Sequence, residues 1–132
     1  MKYDEFIREV QSRARLSSLE EAVRATRATL STLSERITEG EANNLAAQLP
    51  DEVVYLMGDS DHGQRFGLDE FFNKVSEKEG SRMQDAVYHA RVVIEVIGDA
   101  VTGGELEDVK AQLPDEYNKL FEAGSKGEMP SD

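Results

Sequence analysis

Ala47-Gln48-Leu49-Pro50-Asp51-Glu52 returns letter for letter as Ala111-Gln112-Leu113-Pro114-Asp115-Glu116, 64 residues later. Upstream, Thr38-Glu39-Gly40-Glu41 lies opposite Thr102-Gly103-Gly104-Glu105 at the same spacing. Further back, Asp4-Glu5-Phe6 and Val10 are echoed by Asp69-Glu70-Phe71 and Val75 at a spacing of 65. The change of spacing puts one gained or lost residue near Leu16 to Glu20. Self-similarity at a fixed period marks a repeated supersecondary unit. Each copy is roughly 60 residues, near the lower limit for a self-sustaining core, so the copies are expected to pack against each other.

The unit reads as helical. Leu19, Ala22, Val23, Thr26, Leu30, Leu33 and Ile37 form a stripe at three- and four-residue spacing, and Met83, Ala86, Val87, Ala90, Ile94, Ile97 and Val101 repeat it in phase. Ser18 with Glu21 and Ser81 with Gln84 fit capping boxes that would start these long helices. A shorter helix precedes each one: Asp4 to Ala14 carries Phe6, Ile7 and Val10, and Asp69 to Lys78 carries Phe71, Phe72 and Val75. Thr38 and Thr102, boxed with Glu41 and Glu105, open third helices that run to Leu49 and Leu113. Pro50 and Pro114 then suit the start of short fourth helices. No segment alternates at period two. The expected fold is all-α: a tandem duplication of a four-helix unit, about eight helices packed with approximate twofold symmetry. The first repeat spans 3–57, a linker 58–67 and the second repeat 68–121; a tail, 122–132, is expected to be disordered.

Composition narrows the function. The 132 residues contain no cysteine, which excludes disulfides, thiolate metal sites and cysteine nucleophiles. The start lacks the apolar run of a signal peptide, and no stretch approaches the ~20 apolar residues of a membrane span, so a cytoplasmic protein with no membrane partner is expected. Twenty-seven acidic residues face fifteen basic ones, a formal net charge of −12. That field repels phosphate backbones and argues against nucleic acid as a partner. With few lysines among the bases, it also points to a halophilic source, where salt screens the self-repulsion.

Chemistry-bearing residues are sparse. Asp59, Asp61 and Glu70 fall at positions 1, 3 and 12 of a calcium loop, but Gly63 and Gln64 occupy positions 5 and 6, where the loop needs a ligand and then a glycine. A solvated, flexible acidic linker is the expectation, with His62 exposed on it and His89 a half-exposed packing residue. Arg27 and Arg91 occupy equivalent places on the long helices and read as scaffold guanidiniums rather than anion hooks. Gln48 and Gln112 are placed to satisfy carbonyls freed by the proline turns. Glu20 with Glu21, and Glu105 with Glu107 and Asp108, could pair as acid–base carboxylates but are expected to face solvent. No catalytic, cofactor-binding or metal residue is assigned, and no cofactor is implied.

The segments Asp4-Glu5-Phe6, Glu20-Glu21-Ala22, Gly40-Glu41, Ala46 to Pro50 and Gly104 to Pro114 together resemble the prokaryotic domain of unknown function 2267 family. The resemblance runs from Tyr3 to about Phe121. It implies a small, duplicated, all-helical protein and no catalytic residues, because that family has no activity to carry over. The expected role is a non-enzymatic protein-interaction or stress-associated module, with a protein partner and an open oligomeric state. The alternative is a small-ligand or ion-binding protein with a pocket between the repeats, lined by Arg27, Arg91 or His89.

Overall fold

The structure, a computed structural model, describes residues 1–122 and Gly124. Among these residues there are eight α-helices, one 3₁₀ turn and no strand. In chain order the helices are α1 (Tyr3–Arg13), α2 (Leu19–Arg36), α3 (Glu39–Ala46), α4 (Asp51–Tyr55), α5 (Leu68–Glu79), α6 (Met83–Ala100), α7 (Gly103–Ala111) and α8 (Asn118–Glu122). The 3₁₀ turn, Asp115–Tyr117, precedes α8. Glu122 closes α8 instead of opening a tail; the rest of the expected disordered tail, apart from Gly124, lies outside the described residues.

The two 18-residue helices are the centre of the molecule. α2 and α6 pack on each other, and α1 and α5 each pack on both of them. Contact on several sides explains why α2 is buried well beyond its stripe, at Ala25, Ala28, Thr29, Thr32 and Ser34. These side chains are small, which allows close helix approach. Thr26 and Thr32 satisfy their hydroxyls internally, donating to the carbonyls of Ala22 (2.8 Å) and Ala28 (2.7 Å). Phe6, Phe71, Leu30, Ile94, Val10 and Val75 join a single core. The first stripe positions, Leu19 and Met83, are instead exposed where the long helices begin.

Polar clamps cross between the expected repeats. On α1, Arg13 reaches Glu95 (3.0 Å) and Asp99 (2.8 Å) on α6, and the Tyr88 hydroxyl donates to the Arg13 carbonyl (2.8 Å). On α5, Lys78 reaches Glu35 of α2 (2.8 Å), with Lys74 at 3.7 Å.

Helix starts follow the capping reading at three of four sites. Ser18, Thr38 and Thr102 each accept from the amide three residues on, at Glu21, Glu41 and Glu105. Ser81 does not cap α6. The N-cap is Arg82, and the Ser81 hydroxyl donates to Glu79 (2.6 Å). Gly80 causes this: it ends α5 in the left-handed region (φ 71°), and its tight turn leaves Ser81 one residue short of the helix start.

Candidate functional site

Three separate features of the described residues bear on function. The first is the junction of α3 and α7, which pack against each other. Gln112 accepts from the Thr38 backbone N–H (2.9 Å) and donates to the Thr38 hydroxyl (3.2 Å). Gln48 accepts from the Thr102 N–H (2.8 Å). Each glutamine thus caps the start of the third helix in the opposite half. The expectation that these amides serve carbonyls at their own proline turns is corrected: the free groups at hand are the unpaired amides of a helix N-terminus.

Beneath these caps lie Glu41 and Glu105, both 6% exposed. Of the acids expected to face solvent here, Glu105 does not. Glu107 and Asp108 are exposed; Glu105 is buried and its carboxyl lies beside that of Glu41. Burial, then the Glu41 hydrogen bond, then the charges of Glu41 and Asp108 push the Glu105 carboxyl up to about 7. The Oε2 atom of each glutamate is buried without a hydrogen-bond partner, a shortfall that a proton shared by the two carboxyls would relieve. At the start of α2, Glu20 is exposed and Glu21 is held low by the hydroxyls of Ser17 and Ser18.

The second feature is a cleft of about 530 Å³ between the C-terminal end of α2, residues 63–65 and the turn 111–114. Segment 58–67 was expected to be a flexible linker, but half of it is tied down. Gly63 and Gln64 donate their amides to the carbonyls of Ile37 (2.8 Å) and Glu35 (2.9 Å), capping α2. His62 is not exposed either; its Nδ1 bonds the Ser34 carbonyl at 2.8 Å. Arg36 donates through Nε to the Phe66 carbonyl (2.8 Å), and its guanidinium lies over the rings of Phe66 and Tyr117. Tyr117 donates to the same carbonyl (2.8 Å), and burial raises its phenol to about 12.

The third feature is a pair of grooves on the first half, of about 720 and 510 Å³, which share Arg27 and Tyr55. Tyr3, Val23 and Leu56 give the smaller one an apolar floor, with Asp51 and Glu52 on it as well. Tyr55 is 81% exposed, the most exposed large apolar side chain among the described residues.

The residues nominated for a pocket between the halves are not brought together. Arg27 is exposed on the first half. Arg91, its counterpart in sequence, is buried, lies over Tyr88 and donates to the Gly124 carbonyl (3.0 Å). His89 pairs with the buried Glu79 at 2.8 Å. Asp59, Asp61 and Glu70 are exposed, and no group of three or more metal-binding side chains occurs among the described residues. No helix among the described residues is long and apolar enough to cross a membrane. Sequence reasoning missed Tyr55, Arg36 and Arg65. Of these, only Arg65 carried a local signal, as the single permanent cation in an acidic linker.

The family model described as an uncharacterized conserved protein, DUF2267, matches residues 3–120. The chain belongs to the DUF2267 family. No curated protein matches it. Membership in DUF2267 assigns no activity, so function has to be argued from the three features themselves.

Proposed function

We propose that this chain is a non-enzymatic binding module, built from two copies of a four-helix unit with approximate twofold symmetry, that docks a partner protein through the Arg27–Tyr55 surface. The carrying observation is Tyr55: a large ring left in solvent beside an apolar floor of Tyr3, Val23 and Leu56. Aromatic residues and arginine are what interface centres favour. No carboxylate pairs with Arg27 among the described residues. The surface therefore fits a segment that places an apolar side chain on the floor and a carboxylate on Arg27. Asp51 and Glu52 favour a basic residue beside it.

Binding rather than catalysis is supported by how the reactive groups are used. Both histidines are committed, His62 to Ser34 and His89 to Glu79. The strongly shifted carboxyl of Glu105 is buried at the junction of α3 and α7 and lines none of the clefts described above. The two-copy reading is supported by the sequence echoes, the equal length of α2 and α6, and the reciprocal glutamine caps. The acidic surface favours a protein over nucleic acid, and a salt-rich cytoplasm as the setting.

The test is affinity capture from native-salt lysate with the wild type, Tyr55→Ser and Arg27→Glu in parallel. A species retained by the wild type and lost with both variants supports the reading. Identical capture by all three sinks it.

A further inference from the structure

We propose that the cleft between the two halves, at Arg36 and Arg65, is a binding site for a small oxyanion, a phosphate- or carboxylate-bearing molecule. This site is separate from the Tyr55 surface and does not depend on it.

The lining is anomalous for this chain. With 27 acids against 15 bases overall, the cleft is lined by Arg36, Arg65, Thr38 and Gln112, together with Gly63, Ala111, Leu113 and Pro114, and by no acid. Two neighbouring carboxylates are occupied elsewhere. Glu35 is taken by Lys78 and Lys74, and Glu116 accepts from the Leu68 amide (3.3 Å). Neither Arg36 nor Arg65 has an ion-pair partner among the described residues.

Hydrogen-bond accounting gives the same sign. The side-chain acceptors of the cleft are in use: Gln112 Oε1 holds the Thr38 amide, and Thr38 Oγ1 receives both Glu41 N–H and Gln112 Nε2. What remains are donors. The Thr38 hydroxyl proton, the second Gln112 amide proton and the whole Arg65 fork have no acceptor partner among the described residues, while the Arg36 guanidinium, beside the Tyr117 hydroxyl, keeps its charge unpaired by any carboxylate there. A concave site with spare donors, two fixed positive charges and no spare side-chain acceptor selects an anion. Guanidinium forks recognise the paired oxygens of carboxylate and phosphate bidentately. Arg36 is held in advance, by its Nε bond to Phe66 and by the rings beneath it, so little order has to be imposed on binding. A volume of about 530 Å³ suits a small ligand.

The experiment is a proton–nitrogen NMR titration of the full chain with inorganic phosphate and, separately, succinate. Potassium chloride at matched ionic strength is the control. The expected result is saturable shifts confined to the amides of Thr38, residues 63–66 and Gln112, absent with chloride. The tighter of the two anions names the headgroup. Arg65→Glu should weaken binding at least about tenfold by replacing a charge-assisted donor with a repelling charge. Arg65 is exposed, so this variant should keep the wild-type spectrum elsewhere, whereas Arg36→Gln also disturbs the Phe66 anchor. Shifts that match chloride, shifts that survive Arg65→Glu, or binding of polyglutamate without binding of either small anion would each overturn the proposal.

Discussion

The Glu41–Glu105 pair makes a prediction with a definite sign. The native state holds the Glu105 proton more tightly than the unfolded chain, with a value of about 7 against 4.5. The associated stability is therefore complete below pH 4.5 and is lost as pH rises through about 7. At about 1.4 kcal/mol per pKa unit the shift sets a ceiling near 3 kcal/mol; solvent screening at the helix ends reduces this to about 1–2 kcal/mol. Glu105→Gln keeps the hydrogen bond, since an amide can donate to the Glu41 carboxylate, and removes the like charge. The variant should match the wild type at pH 5 and exceed it by about 1–2 kcal/mol at pH 8. At about 3–5 °C per kcal/mol for a chain of this size, the gain in thermal midpoint at pH 8 should be about 3–10 °C. Thermal unfolding at pH 5, 6, 7 and 8 measures the difference. A difference that does not change across this range, or a variant less stable at every pH, refutes the shared proton.

Leu30→Ala and Ile94→Ala empty buried sites on the two central helices, and each should cost about 2–5 kcal/mol in denaturant unfolding. Gln48→Ala leaves the Thr102 amide without its acceptor and should cost about 0.5–1.5 kcal/mol, with faster hydrogen exchange at the start of α7 and not of α3. Raising KCl from 0.1 to 2 M should raise the thermal midpoint, because the Debye length falls from ~10 Å to below ~3 Å; a charge-neutral osmolyte at matched osmolality is the control, and a flat or falling midpoint counts against a halophilic adaptation.

Where local rules govern, the sequence was legible. The period of the apolar stripes and the Thr38 and Thr102 boxes foretold α2, α6, α3 and α7, because spacing and capping act within one or two turns. Ser81 shows how a local rule fails. The 64-residue spacing already paired Ser18 with Arg82, and the register is forced by Gly80, whose left-handed backbone no side-chain pattern announces. The junction was illegible for a different reason. Glu41 and Glu105 were each visible as capping-box acids, and nothing local says that two such acids meet. Gln48 and Gln112 likewise carried a visible proline context and an invisible partner 54 or 74 residues away. Arg36 and Arg91 illustrate the same limit: what an arginine touches is decided by which helices pack around it, here Phe66 and Tyr117 for one and Tyr88 for the other.

The central claim is that the chain works by binding a protein at the Tyr55 surface. The most direct measurement replaces Tyr55 with a photo-crosslinking phenylalanine analogue in cells and compares it with the same replacement at Met83, an exposed apolar residue on α6. The account predicts a discrete covalent adduct from position 55, absent from position 83 and lost when Arg27→Glu is added. No adduct from position 55, or the same adducts from both positions, would contradict it.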